Sequence, residues 1–286
     1  MQTSVGPIHV FNVTRALRAC MVLVVLVAAI GSPAASASSE AEAVVRLSPL
    51  GTIAEQSRTM IRAGIRDGLA ATGQVDPLVA ETIAGFGASA FDSRRIQARL
   101  VRDLEADLAG TELQAVNDWY ESDLGQRLSR AESDAALPAA WESMSSEAAA
   151  LRKQYDGSHR HELYNRYDQA LDASERAVET AMAVQLQLAE ALAALSAGDT
   201  TQSVQAQVRA NRPMIEQQIG EQVYLAYLYT YQSFSDRELE QYLAFLESPA
   251  GQAFTESASR SIHAAVMEPV SAVGTQLVRL LGPGGE

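Results

Sequence analysis

An eight-residue string occurs twice in this chain. Trp119-Tyr120-Glu121-Ser122-Asp123-Leu124-Gly125-Gln126 and Phe245-Leu246-Glu247-Ser248-Pro249-Ala250-Gly251-Gln252 share the pattern Glu-Ser-x-x-Gly-Gln and stand 126 residues apart. Solenoid units run about 20–50 residues, so a period this long is the size of a domain. The chain therefore reads as a tandem duplication of a helical-bundle domain. An all-α fold suits the rest of the composition: aromatics are only 6% against an apolar fraction of 47%, and alanine is abundant. Small apolar side chains let helices approach closely, and alanine is the best helix former.

Within the string each position has a helical explanation. Ser122 and Ser248 are placed to cap the helix that follows. Pro249 suits the first helical position, where its missing N–H would be unpaired anyway. Asp123 puts a negative charge at the same place in the first copy. Gly125 and Gly251 each cost a helix about 1 kcal/mol against alanine. A glycine present in both copies predicts another backbone passing close by. The string, with Gln126 and Gln252 at its end, is expected to form a tight helix–helix joint.

The surrounding sequence has helical period from about Val44 onward. Leu50, Ile53, Met60, Ile61, Ile65 and Leu69 mark one buried face. After a break at Thr72–Pro77, Leu78, Val79, Ile83 and Phe86 carry the next helix. Phe91-Asp92-Ser93 reads as a capped joint. Ser235-Asp236-Arg237-Glu238 is a capping box, flanked by Phe234 and Leu239 as a hydrophobic staple. In the first copy Ala109 replaces the capping serine, while Glu112 and the staple pair Leu108 and Leu113 remain. Pro138 and Pro269 are expected to kink or break their helices. Tyr155-Asp156-Gly157-Ser158 is the expected boundary between copies. One long helix is expected from about His161 to Leu195. The divisions are a signal peptide at 1–37, a linker at 38–45, helical domains at 46–155 and 156–281, and a disordered tail at 282–286.

The first 37 residues carry an export signal. Arg15 and Arg18 precede an uncharged apolar run from Ala19 to Ile30, and Ala35-Ser36-Ala37 offers the small-x-small pattern. Cleavage is expected between Ala37 and Ser38, giving a periplasmic or secreted protein. The run is shorter than the ~20 residues that span a bilayer, so no stable span is expected after cleavage. An uncleaved N-terminus tethering a structural protein is the alternative. Cys20, the only cysteine, leaves with the signal, so the mature chain has no disulfide and no cysteine ligand. Removing the two arginines takes the formal charge from −13 to −15. A surface this acidic repels phosphate backbones, which argues against nucleic-acid binding. It also disfavours docking on anionic lipid through a basic patch.

The Phe245–Gln252 string, with its capped acidic helix and its export signal upstream, resembles the domain-of-unknown-function family 2059. The resemblance implies an exported bacterial helical protein and no established chemistry. It is clearer in the second copy, because Asp123 stands where the proline does in the first. Carried by the helix pattern, it extends over 46–155 and 160–281.

Three groups of residues could bear a function. Glu121 and Glu247 hold equivalent places, so copies packed about a pseudo-two-fold axis could bring both carboxylates to one cleft for acid–base work or a hard cation. Such a pair would make the chain a hydrolase or lyase. Alternatively each satisfies backbone donors at its joint. Tyr224, Tyr227 and Tyr231, three of a ladder that also holds Tyr229, share a helix face, with Leu228 beside them, and form either an apolar ligand groove or a core stripe. His159, His161 and Glu162 lie together, but histidines two apart do not share a helix face, and no zinc motif is present. His263 is isolated. No metal or cofactor is implied, and no nucleophile elbow or phosphate loop occurs. The leading expectation is a non-catalytic helical protein that binds an envelope protein or small ligand.

Overall fold

The structure, a computed structural model, describes residues 37–70, 76–193 and 201–281. The export signal up to Ser36, most of the expected break at 72–77, the expected helix stop at Gly198-Asp199 and the tail from 282 lie outside the described residues. Thirteen α-helices and no strand make up what is described. No helix among these residues is long and apolar enough to cross a membrane.

The first seven helices are α1 (Ala37–Leu47), α2 (Pro49–Ala70), α3 (Pro77–Ser89), α4 (Ser93–Asp107), α5 (Gly110–Glu121), α6 (Asp123–Ala136) and α7 (Pro138–Tyr155). The remaining six are α8 (His159–Leu171), α9 (Ala173–Ala193), α10 (Thr201–Ala210), α11 (Arg212–Tyr231), α12 (Asp236–Leu246) and α13 (Pro249–Leu281). Packing partners recur in the same order. Helix α1 packs on α5 as α8 packs on α12, and α2 packs on α3 and α4 as α9 packs on α10 and α11. The halves also differ: α1 packs on α4, with no packing of comparable extent between α8 and α11 among the described residues, and the prolines act differently. Pro138 starts a new helix after α6, whereas Pro269 lies inside the 33-residue α13.

Three sequence expectations are corrected. Residues 38–45 are not a linker: they belong to α1, whose Ala41, Val44 and Val45 are fully buried. The expected cut after Ala37 falls in the first turn of that helix. The long helix from His161 to Leu195 is two helices, because Asp172 adopts a left-handed conformation with φ 48°. Aspartate tolerates that region better than most residues. Asp168 reinforces the break by accepting from the backbone N–H of Ser174 at 2.9 Å. Finally, the apolar face of α3 is turned outward, as described below.

The chain-order halves share one core. A single cluster of buried apolar side chains runs from Ala41 in α1 to Val266 in α13. Helix α13 packs on α4 and α5 of the first half, and α11 packs on α6 and α7. Polar contacts follow the same route: Ser257 and Arg260 donate to Asp107 at 2.7 and 2.8 Å, and Ser261 donates to Asp103 at 2.7 Å. Arg127 on α6 bonds Glu238 on α12 at 2.7 Å, with its guanidinium 5.1 Å from the centre of the Phe234 ring.

Candidate functional site

The two joints have one geometry. Ser122 accepts from the Gly125 N–H at 3.0 Å and donates back to the Trp119 carbonyl at 2.5 Å. Ser248 does the same with Gly251 and Phe245 at 3.1 and 2.6 Å. One hydroxyl thus serves the end of one helix and the start of the next, two places where backbone groups lack helical partners. The glutamine closes the corner: Gln126 donates to the Glu121 carbonyl at 3.0 Å and Gln252 to the Glu247 carbonyl at 3.2 Å. The residues at the head of the two strings, Trp119 and Phe245, stack with ring centroids 4.6 Å apart and planes 1° from parallel. The corners therefore meet at equivalent positions.

The two motif carboxylates are held separately. Glu121 accepts from the Asn117 side chain at 3.1 Å. Glu247 is gripped by the Arg166 guanidinium at 2.8–3.2 Å. Among the described residues no hydrogen bond joins the two glutamates. The histidines are also dispersed. His159 sits exposed between Glu162 and Glu240, which raise its pKa. His161 bonds the Tyr224 hydroxyl at 3.0 Å, and His263 bonds Thr180 at 2.9 Å. Among the described residues no group of three or more His, Cys, Asp or Glu side chains is placed to hold a metal ion.

Tyr224, Tyr227 and Tyr231 are buried in the core stripe. Their rings pack against Tyr164 and Tyr167 of α8 at centroid distances of 4.7–5.7 Å. The rings fill space while the hydroxyls of Tyr224 and Tyr231 find polar partners; the Tyr227 hydroxyl is buried without one among the described residues. For Tyr231 and Tyr242 the partner is Glu132 on α6, at 2.5 and 2.8 Å. Glu132 is 1% exposed and, among the described residues, is the one carboxylate among the buried polar side chains. Burial pushes its pKa up from 4.5 to about 7, against the lowering effect of the two hydroxyl bonds. Burial first, then the Glu132 charge, raises Tyr120, Tyr231 and Tyr242 well above their ordinary value. Sequence reasoning passed over Glu132. Offset by 126 residues it stands opposite Ala258, a fully buried position. An acid at a position where the residue 126 places on is a buried alanine was the available signal.

Arg160 is the second buried ion. It is 5% exposed and donates to the Tyr231 carbonyl at 2.9 Å, the Phe234 carbonyl at 2.6 Å and Asp236 at 2.8 Å. The guanidinium fork ties the last carbonyl of α11, which also accepts from the Phe234 N–H at 3.0 Å, to the Phe234 carbonyl in the turn that follows. Arg160→Met should cost about 2 kcal/mol or more, since it removes the charged donor from the Phe234 carbonyl in the interior. Urea unfolding followed by circular dichroism measures this, and a loss under about 1 kcal/mol would contradict the assignment.

The surface feature that stands apart is α3. Its alanines Ala80, Ala84 and Ala88 are buried, spaced four apart on one face, against α2. The large side chains point away: Leu78 is 76% exposed, Val79 50%, Ile83 45% and Phe86 44%. The alanine stripe allows close packing on α2, and this fixes the bulky residues on the outside. Asp76 caps the helix by accepting from Leu78 N–H at 2.8 Å. Helix α3 packs on α2 and on no other helix to a comparable extent. Arginines line its flank. Arg62 is ion-paired with Glu81, and Arg58 donates to the Phe91 carbonyl at 3.2–3.3 Å. Contiguous apolar surface of this kind marks an interaction site more often than a plain solvent face.

No protein-family model, curated protein or solved structure matches the chain.

Proposed function

We propose that this is an exported, non-catalytic helical protein of the cell envelope that works by binding through the outer face of α3. The observation that carries this reading is the inverted amphipathicity of α3, with alanines inward and Leu78, Val79, Ile83 and Phe86 outward. Exposing four large apolar side chains on one short helix opposes solubility, so a covering surface is the physical reason to keep them there. Export rests on the charged, apolar and small-residue order of residues 15–37. A tandem duplication accounts for the matched helix order, the identical corners and the Trp119–Phe245 stack. On that reading only the first copy carries the binding face, since the matching helix α10 has the sequence Thr-Gln-Ser-Val-Gln-Ala-Gln-Val-Arg-Ala. The likeness to family 2059 rests on the joint string and adds no activity.

The test places a photoreactive phenylalanine analogue at Phe86 and, separately, at Gln202 on α10. The chain is exported in a bacterial host, irradiated in the intact envelope and analysed by mass spectrometry. The expected product starts at Ser38 and gives crosslinks from position 86 but not from position 202. A retained N-terminus would overturn the export reading. Absence of crosslinks from position 86 would overturn the binding reading.

A further inference from the structure

The charge around α3 runs against the charge of the whole. The chain is −13 overall, yet residues 58–102 hold seven arginines and four carboxylates. Three of the arginines, Arg58, Arg62 and Arg66, sit four residues apart on α2 and so share one face. That face borders α3 along its length. Arg58 reaches the Phe91 carbonyl just past the C-terminal end, Arg62 pairs with Glu81 in the first half, and Arg66 is near enough to Glu81 to feel its charge. Arg94 and Arg95 are exposed at the start of α4, beyond the same end of α3. Guanidinium groups thus border the apolar face with carboxylates among them: Arg62 pairs with Glu81, Arg66 with Asp67 and Arg95 with Glu268, while among the described residues Arg58 and Arg94 have no carboxylate within ion-pair distance. At physiological salt, charges beyond about 8 Å are largely screened, so a surface in contact with α3 meets the local rim and not the net charge.

The geometry points to an anionic lipid surface as the occupant: we infer that α3 lies in the headgroup plane with Leu78, Val79, Ile83 and Phe86 entering the acyl boundary and Arg58, Arg62 and Arg66 meeting lipid phosphates. This rests on the binding role given to α3 above and names its partner. A second copy of the chain fits less well. A stable dimer buries about 800 Å² on each partner, whereas four partly exposed side chains on one helix offer on the order of a few hundred Å². A bilayer needs no complementary groove: it accepts a lone convex helix, and α3 has 13 residues, roughly 20 Å of axis. Arginine matches phosphate in two-pronged geometry, which suits a rim built without lysine.

The protein should float with phosphatidylcholine vesicles containing about one-third phosphatidylglycerol, and should do so at least about tenfold less with pure phosphatidylcholine or at molar salt. The double variant Leu78→Ser/Phe86→Ser should lose flotation by a similar factor, as should Arg66→Gln/Arg94→Gln. Met214→Ser, which removes an exposed apolar side chain elsewhere (51% exposed), should leave it unchanged. Phe86 is 44% exposed, so the apolar variants should melt a few degrees below the parent at most, and all three variants should stay folded at the temperature of the assay. Equal flotation of the parent and the Leu78/Phe86 variant overturns the lipid assignment. No flotation, together with self-association in sedimentation that the same variant abolishes, makes the occupant a second copy and leaves the binding role standing. Neither flotation nor self-association, with no crosslink from position 86, overturns both.

Discussion

Replacing either joint glycine by alanine is expected to unfold much of the protein's stability margin. A Cβ on Gly125 would lie 2.0 Å from the Trp119 carbonyl oxygen, and one on Gly251 would lie 2.1 Å from that of Phe245. The obstacle in each case is backbone at the end of the preceding helix, so no side-chain rotation relieves it. The corner must open, and opening it breaks the serine bonds to both helices. Overpacking commonly costs about 1–3 kcal/mol and more where the neighbour cannot move, so each variant should lose more than about 3 kcal/mol. For a chain of this size that is a fall in Tm of roughly 10 °C. Gly85 and Gly220 supply the contrast, because a Cβ on either meets nothing within 4 Å. Gly85→Ala and Gly220→Ala should gain about 0.5–1 kcal/mol from helix propensity alone. Thermal and urea unfolding of the four variants checks the set. A Gly251→Ala protein within about 0.5 kcal/mol of the parent would refute the account of the joint.

The contrast between these glycines also shows where sequence reasoning works. The joint is local: Ser248, Gly251 and Gln252 act on Phe245 and Glu247, all within eight residues, so side-chain chemistry and spacing reveal it. The capping box is equally short-range, and it forms as read, with Ser235 N–H donating to Glu238 at 2.8 Å and Glu238 N–H to Ser235 at 3.3 Å. In the first copy Glu112 still accepts from Ala109 N–H at 2.9 Å, the half of the box that survives without a serine. Backbone chemistry at a single residue is harder to see. Asp172 turns left-handed in the middle of a continuous helical pattern, and no glycine or proline announces it. Which face of a helix is buried is harder still when both faces are apolar. In α3 the alanines and the large side chains each make a stripe, and only the distance to α2 decides between them. The Glu132 cluster was the least legible, since its partners Tyr231 and Tyr242 are 99 and 110 residues away.

That buried carboxyl makes a definite prediction about pH. Glu132 has its pKa raised from 4.5 to about 7 by burial. Below pH 4.5 it is protonated whether the chain is folded or not and carries no penalty. Between 4.5 and 7 the unfolded chain releases the proton while the folded chain keeps it, so stability falls as pH rises. Above 7 the folded state ionises too, and the full penalty, about 3 kcal/mol, is present. Glu238 acts in the opposite sense. Hydrogen bonds from the Ser235 backbone and hydroxyl, and then Arg127, hold its carboxyl down at about 2. Its contribution is present above 4.5 and is lost as pH falls toward 2. The parent's pH profile mixes the two, and the difference between parent and Glu132→Gln isolates Glu132. Glutamine keeps an oxygen for the Tyr231 and Tyr242 hydroxyls and never ionises. The variant should match the parent near pH 4.5 and exceed it by up to about 3 kcal/mol at pH 8. Glu132→Leu should instead weaken the fold near pH 4.5, because two buried hydroxyls lose their acceptor at about 1–3 kcal/mol each, and its deficit should shrink by about 3 kcal/mol by pH 8 as the parent takes on the ionisation penalty. Urea unfolding at half-unit steps from pH 4 to 8 reads all three curves. A Glu132→Gln difference that stays flat across that range would mean the carboxyl has the same pKa folded and unfolded, the tyrosine hydroxyl bonds offsetting the cost of burial.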